Sequence, residues 1–152
     1  MRYAHTNIVA RDWGRLAAFY EAVFGCTRVP PVRSQGGEWL EAGTGLPGAR
    51  LEGVHLRLPG FGEEGPTLEI YSYASMAENL PPVANRIGFG HIAFEVGDVP
   101  AALALVIRHG GSAVGRITEA HVPGKGRITF VYSADPEGNL IELQHWSLSD
   151  LA

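Results

Sequence analysis

An internal repeat with an offset of 86 residues is the feature that most restricts how this chain can fold. The offset places His5 on His91, Asp12 on Asp98 and Gly25 on Gly111. The chain contains only 6 His residues, so a His that repeats at the same offset as an Asp is hard to attribute to chance. The repeat predicts two similar modules that follow one another along the chain.

The ends of the two halves also match, although with a different offset. The segment Leu68–Tyr73 resembles the segment Ile141–Trp146, and each has Glu at its second position and an aromatic residue at its sixth. This offset is 73 residues, so the first half carries 13 additional residues. We place these in the Gly- and Pro-rich stretch between Gly36 and Pro66.

Each half predicts the element order β-α-β-β-β, with one additional short strand in the first half, and therefore an α+β fold. Asp12 and Asp98 are suitable N-caps for two helices, which we expect to end near Phe24 and His109. The predicted strands are Tyr3–Ala10, Thr27–Val32, Gly37–Ala42, Ala49–Leu58, Thr67–Tyr73, Gly90–Val96, Ala113–Thr118, Arg127–Ser133 and Asn139–Trp146. We predict a first module at residues 1–74, a linker at 75–87 and a second module at 88–152.

Strand alternation places four polar residues away from the faces that pack on the helices. Glu69 and Glu142 each lie between two aliphatic residues of a strand, while His5 and His91 lie in the first strand of each half. Two imidazoles and two carboxylates suit a six-coordinate divalent metal ion with open positions for water. The sequence therefore predicts a metal site formed by His5, Glu69, His91 and Glu142 on a shared cavity.

Composition excludes several classes of partner. A net charge of -4 with a pI near 5.8 provides no basic surface for nucleic acid. The N-terminal residues 1–10 carry charge inside a short apolar run, so we expect neither a signal peptide nor a membrane span. The single Cys26 cannot form an internal disulfide, which favours a cytoplasmic location.

Several segments resemble the vicinal-oxygen-chelate superfamily, which comprises glyoxalases, bleomycin resistance proteins and dioxygenases, and they are most similar to glyoxalase I (lactoylglutathione lyase). The similar segments are His5 with Phe19–Gly25, then Leu68–Ile70, Gly90–Val96, and Asp135–Asn139 leading into Ile141–Leu143. The resemblance implies two βαβββ modules in a curled, cup-like mixed sheet with helices on the outer face. It also implies a homodimer, in which subunits can share the metal site.

The resemblance further implies a metal-dependent reaction on a small molecule. One divalent ion per site (Ni, Co, Zn, Mn or Fe) acts as a Lewis acid on a chelated carbonyl compound, and carboxylate ligands move the proton. Glu142 corresponds to the main catalytic base of glyoxalase I, and Glu69 to the opposing carboxylate. We therefore expect a glyoxalase-like lyase or isomerase that transfers a proton next to a carbonyl group.

The chain departs from glyoxalase I at positions that contact glutathione. Val9 stands where that family carries Arg, and Tyr73 stands where it carries Asn. Lys125 lies about one residue from the position of a glutathione-binding Lys. Tyr71, Tyr73 and Trp146 instead indicate an aromatic substrate that is flatter than a glutathione adduct. The predicted substrate-binding residues are Tyr71, Tyr73, Trp146, Lys125 and Arg127.

Two other functions remain open. An Fe(II) extradiol dioxygenase uses two His and one carboxylate, and the fourth ligand Glu69 argues against it. A non-catalytic protein that binds an antibiotic is the other alternative, although such members typically lack the metal ligands. The fosfomycin-modifying branch lacks the second carboxylate and ranks lower. Roles in lining the cup also remain open for four further residues, although roles in the core or at the surface fit them at least as well: Trp39, Glu41, His55 and Arg57.

Overall fold

The computed structural model describes residues 1–78, 80–81 and 83–147. The chain divides into two compact units, Met1–Asn79 and Leu80–Ala152. Two residues of the predicted linker, Asn79 and Pro82, lie outside the described residues, and so does the end of the predicted second module at 148–152. In the described part of the chain, no helix is long and apolar enough to cross a membrane.

The first unit is a four-stranded mixed sheet with one long and one short helix. Its elements are β1 (His5–Val9), α1 (Trp13–Phe24), β2 (Thr27–Gly36), α2 (Glu38–Thr44), β3 (Arg50–Arg57) and β4 (Thr67–Tyr73). The strand order is β1-β4-β3-β2, with β1 parallel to β4 and the other pairs antiparallel. The parallel pair joins the start of the unit to its end.

Helix α1 forms as its capping residues predict. The Asp12 side chain accepts a hydrogen bond from the Arg15 backbone N–H, and Gly25 ends the helix with φ of 69° in the left-handed region. Leu16, Phe19 and Tyr20 are buried on one side of the helix. This stripe covers one face of the sheet, where Leu68, Ile70, Val54 and Leu56 are almost fully buried.

Helix α2 replaces a predicted strand. We expected a strand over Gly37–Ala42, and that prediction is wrong because the segment forms a helix from Glu38 to Thr44. Acidic Glu38 and Glu41 occupy its first turn, where the helix dipole favours negative charge, and Gly45 ends it in the left-handed conformation. The buried Leu40 of this helix packs with Ala49, Leu51 and Tyr71 on the second face of the sheet.

The second unit repeats this arrangement without the short helix. Its elements are β5 (Ile92–Glu95), α3 (Val99–Arg108), β6 (Ser112–Ala113), β7 (Thr118–Val122), β8 (Gly126–Ala134) and β9 (Leu140–Ser147). The order is β5-β9-β8-β6, β7 also pairs with β8, and β5 is parallel to β9. The single strand predicted at Ala113–Thr118 is wrong, since β6 ends at Ala113, β7 begins at Thr118, and the residues between them belong to neither strand.

Helix α3 begins where its sequence predicts. The Asp98 carboxylate accepts a hydrogen bond from the Ala101 backbone N–H, and Pro100 lies in the first turn. Val99, Ala102 and Val106 are buried on α3, while Ile141, Leu143 and Val131 are buried on the sheet. Both units thus have a mixed sheet with a helix on one face, which confirms the predicted α+β class.

Gly53 lets two strands and an aromatic ring approach closely. A Cβ atom at this position of β3 would overlap the Ile70 carbonyl oxygen and the ring of Tyr71, which is the Cα partner of Gly53 across the ladder. The ring of Tyr71 therefore lies across the backbone of β3. Any larger residue would have to displace backbone atoms, not only a flexible side chain.

We predict that Gly53→Ala lowers the free energy of unfolding by about 3 kcal/mol, because the added methyl group overpacks a buried site. Gly43→Ala is the matched control, since a Cβ there meets no atom within 4 Å and the position is helical. The control should raise the free energy of unfolding by about 0.5–1 kcal/mol. Urea unfolding of both variants measures the difference; equal stability would contradict the close approach.

Candidate metal and substrate site

The ladders place a His and a Glu together in the same way in both units. In the first, Asn7 is the Cα partner of Glu69, and His5 lies two residues earlier on the same face of β1. In the second, Ala93 is the Cα partner of Glu142, and His91 lies two residues earlier. The repeat read from the sequence is therefore also a repeat of strand register.

In the first unit, His5 Nδ1 lies 3.3 Å from Glu69 Oε1. The Glu69 residue is only 8% exposed, although it is on the face of β4 away from α1. Its neighbours Leu68 and Ile70 point to the α1 side and are almost completely buried. A carboxylate in this position loses hydration, so partners of opposite charge or hydrogen-bond donors must compensate for it.

In the second unit, His91 Nε2 lies 2.9 Å from Glu142 Oε2. The Glu142 side chain is 16% exposed, compared with 10% for Glu69. The ring of Tyr132 packs on the His91 imidazole, with 4.9 Å between the ring centroids. Tyr132 is also the Cα partner of Glu142 across the β8–β9 ladder.

The donor separations can be compared with those that a metal ion requires. Imidazole nitrogen and carboxylate oxygen bind divalent ions at about 2.0–2.2 Å, so two adjacent ligands at a right angle lie about 3 Å apart. Both His–Glu pairs have this separation. Among the described residues, no group of three or more His, Cys, Asp and Glu side chains is placed to hold an ion. Each unit thus brings one His and one Glu to this separation.

The structure gives His55 a specific contact with Glu69, whereas the sequence left its role open between the cup, the core and the surface. Its Nε2 atom lies 3.1 Å from Glu69 Oε1 and makes a 2.7 Å hydrogen bond with the Tyr71 hydroxyl. Both His5 and His55 approach the same oxygen of Glu69. Their nitrogen atoms therefore do not surround, together with Glu69, a position that an ion could occupy. Alternation along β3 could have placed His55 on the Glu69 face, had the register of β3 and β4 been known.

Burial shifts the pKa values of His55 and Tyr71. Desolvation lowers the pKa of His55, and the charges of Arg33 and His5 lower it further, while Glu69 acts in the opposite direction. Desolvation and the nearby Glu69 carboxylate raise the pKa of Tyr71. The environment therefore favours a neutral imidazole and a protonated phenol beside the carboxylate.

The predicted substrate residues of the first unit occupy different environments. Tyr71 is 8% exposed and belongs to the buried cluster with Leu40, Ala49 and Leu51, against which the half-buried Tyr73 packs. Tyr73 also lines an open cleft of about 750 Å³. Arg11, Asp12, Arg50 and Glu52 contribute charges of both signs to the cleft.

The predicted substrate residues of the second unit lie on two faces of its sheet. Trp146 shares the Glu142 face, and Lys125 Nζ lies 5.8 Å from the centre of its ring, within the range of a cation–π contact. Arg127 is adjacent to Ile128, the Cα partner of Trp146, and therefore points to the opposite face. There it forms an ion pair with Glu119, with 3.5 Å between Nη1 and Oε2.

The sequence reasoning also missed an apolar surface beside Glu142. Ile128, Phe130 and Tyr132 alternate along β8 on the same face as Glu142 and Trp146, and all are partly buried. The rings of Phe130 and Tyr132 meet edge to face, 6.2 Å apart. The alternating pattern of the segment 126–134 contains this signal, because every second residue from Ile128 to Tyr132 is large and apolar.

Comparison with known proteins identifies the family. The sequence profile described as the Glyoxalase/Bleomycin resistance protein/Dioxygenase superfamily matches residues 2–143. The chain belongs to this superfamily. No curated protein matches the chain.

Solved structures share the superfamily fold. A glyoxalase family protein from Bacillus cereus has a TM-score of 0.80 at 20% identity, covering 96% of this chain and 94% of its own. A family enzyme from Burkholderia phytofirmans has a TM-score of 0.60 at 15% identity, covering 95% and 98%. The fosfomycin resistance protein FosX from Listeria monocytogenes has a TM-score of 0.58 at 17% identity, covering 97% and 95%. These identities are low, so the similarity concerns the fold.

A tight turn fixes the start of the strand that carries Glu142 in this superfamily member. The buried Asp135 carboxylate accepts hydrogen bonds from the Glu137 and Asn139 backbone N–H groups through Oδ1, and from the Asn139 amide through Oδ2. Gly138 adopts a φ of 89°, which glycine accepts without strain. The turn thereby sets the β8–β9 register that pairs Tyr132 with Glu142.

We predict that Asp135→Ala lowers the free energy of unfolding by about 2–3 kcal/mol, since it leaves backbone donors without their acceptor at a buried position. Asp98→Ala is a suitable comparison, because the Asp98 carboxylate accepts one capping hydrogen bond at an exposed helix start. Its loss should lower the free energy of unfolding by about 1 kcal/mol. Chemical denaturation gives both values; a smaller loss for Asp135→Ala than for Asp98→Ala would contradict the structural role of the turn.

Proposed function

We propose that this protein is a divalent-metal-dependent, glyoxalase-like lyase or isomerase, in which His5, Glu69, His91 and Glu142 hold the ion. One observation carries the proposal: each unit brings a His to ligand spacing from a Glu, and the two Glu residues hold the same position in their ladders. Two imidazoles and two carboxylates suit Ni, Co, Zn, Mn or Fe. Membership of a superfamily that includes glyoxalases and dioxygenases supports the assignment.

The proposed reaction moves one proton between adjacent carbon atoms. When bound, the ion would supply Lewis-acid polarisation of a carbonyl oxygen and so acidify the neighbouring C–H group. The Glu142 carboxylate removes that proton, and the electron pair of the C–H bond shifts toward the carbonyl group. The carbon that loses the proton carries a hydroxyl group, so the product of this step is an enediolate. Glu142 then returns the proton to the former carbonyl carbon, the hydroxyl oxygen becomes the new carbonyl oxygen, and the hydroxyl proton passes to the old carbonyl oxygen. The reaction is therefore an isomerisation that needs no oxidant or reductant.

We propose a carbonyl substrate that carries a flat or aromatic group. Trp146, Phe130 and Tyr132 provide apolar and aromatic contact area on the Glu142 face, and Lys125 beside Trp146 provides one positive charge. Tyr73 on its cleft is the corresponding residue of the first unit. We leave Tyr71 and Arg127 out of this set, because Tyr71 is bonded to His55 and Arg127 is paired with Glu119.

We further propose that the protein acts as a homodimer in the cytoplasm. The single Cys26 is free and buried, and one cysteine forms no disulfide within the chain, which is usual for a protein of a reducing compartment. In a dimer with two-fold symmetry, the first unit of one chain and the second unit of its partner can contribute ligands to one ion.

We predict that the purified protein binds one divalent ion per chain and that the Glu69→Gln, Glu142→Gln double variant binds none, because neutral amides are much weaker ligands than carboxylates. The control is the Glu52→Gln, Glu119→Gln double variant. It changes one strand glutamate in each unit, both exposed and both on the opposite face from the ligand glutamates. Elemental analysis after incubation with each metal measures the content.

Three outcomes separate the candidate functions. The proposed isomerase is supported if only the Glu69→Gln, Glu142→Gln variant loses the ion and the wild type turns over the hemithioacetal of an aromatic α-ketoaldehyde. Fe(II)-dependent oxygen uptake with a catechol would replace it with a ring-cleaving dioxygenase. A protein that takes up none of the five metals is not a metal enzyme, and tight binding of an aromatic antibiotic would then make it a binding protein.

We predict that a mixed dimer of two complementary variants regains metal if subunits share the site. One chain carries His5→Ala and Glu69→Ala, the other carries His91→Ala and Glu142→Ala, and two affinity tags isolate the mixed species. One of its two sites would then contain only wild-type ligands, which gives about half of the wild-type metal content. Sites formed within one chain leave no intact site in the mixed dimer, and a metal-free mixed dimer therefore contradicts sharing.

A further inference from the structure

The two glutamates occupy the same ladder position but have different neighbours. The Cα partner of Glu69 across its antiparallel ladder is His55, whereas the Cα partner of Glu142 is Tyr132. Two residues after the glutamate, the first unit has Tyr71 and the second has Gln144. The repeat thus preserves the His–Glu pair and changes the residues that surround the carboxylate.

In the first unit, these neighbours form a connected group. The Tyr71 hydroxyl bonds to His55 Nε2 at 2.7 Å, and the same nitrogen lies 3.1 Å from Glu69 Oε1. The Tyr71 ring is held in the cluster with Leu40 and Leu51 and lies across Gly53. Packing therefore restricts the phenol, the phenol orients the imidazole, and the imidazole rests against the carboxylate.

In the second unit, the corresponding residues contact other groups. Tyr132 packs its ring on His91, not on Glu142, with 4.9 Å between centroids. Gln144 accepts a 3.2 Å hydrogen bond from Trp146 Nε1. The contact that the structure gives the Glu142 carboxylate is the His91 imidazole at 2.9 Å, and its side chain is more exposed than that of Glu69.

We propose that Tyr71 and His55 are positioning residues that hold Glu69 in one orientation as a metal ligand. This inference rests on the proposed function, because it assigns a role to residues that support one of the proposed ligands. Residues that orient metal ligands from outside the coordination sphere change metal affinity without touching the ion.

The test uses one hydroxyl deletion in each unit. Tyr71→Phe removes the hydrogen bond to His55, and Tyr132→Phe removes a hydroxyl from the repeat-related strand while keeping the ring on His91. His55→Gln is a second variant that keeps a side-chain donor but loses the imidazole. Calorimetric titration with Zn or Ni measures the dissociation constant, and unfolding curves confirm that each variant is folded.

We predict that His55→Gln weakens metal binding about 10- to 100-fold and that Tyr71→Phe weakens it less but in the same direction, because Glu69 loses its fixed orientation. Tyr132→Phe should leave the dissociation constant within about twofold of the wild type. Wild-type affinity in both His55→Gln and Tyr71→Phe would overturn the positioning role while leaving the metal enzyme intact.

A second readout needs neither metal nor activity. Nitrogen NMR of the histidine rings in the metal-free protein, at one fixed pH, reports the tautomer of His55. Tyr71→Phe and Glu69→Gln should each shift the His55 ring nitrogens and leave those of His91 unchanged. If the wild type binds no metal, the proposed function fails, but the spectra still test the contact of His55 with Tyr71 and Glu69. Unchanged His55 signals in both variants would overturn that contact.

Discussion

The parallel pairing of the first and last strands within each unit is the interaction on which the candidate site depends. Strand β1 pairs with β4 and β5 pairs with β9, in the same register relative to the His and Glu of each unit. This pairing joins residues that are distant in sequence, such as His5 and Glu69. Because a shift of one residue would turn either side chain to the other face, the register is as important as the pairing itself.

Each unit buries one sheet face under a long helix, and the second face distinguishes the two. In the first unit, α2 and its Leu40 cover part of that face and restrict Tyr71. In the second unit, the corresponding face carries partly buried aromatic residues, with Phe130 and Tyr132 in contact. The additional residues of the first half thus create a packed surface on this face, whereas the second unit carries no corresponding helix among its described residues.

The close His–Glu contacts have a clear electrostatic cause whether or not an ion is present. A carboxylate as buried as Glu69 loses hydration, and the cost is several kcal/mol unless donors or positive charge compensate for it. The two imidazoles that approach its Oε1 atom can do so. A divalent ion would compensate more strongly, and its preferred ligand spacing matches the separations of both pairs.

The sequence by itself determined the local structure and the family. Asp12, Asp98 and Gly25 are recognisable as helix caps because capping depends only on nearby residues. The repeat of His and Glu marks the equivalent positions of the two halves, because it is visible when the two halves of the sequence are compared. The sequence misassigned Gly37–Ala42, since short apolar and acidic segments fit a strand or a helix until their packing partner is known. Only the tertiary structure placed His55 against Glu69 and turned Arg127 away from Trp146, because both facts follow from the register between strands, which local sequence does not specify.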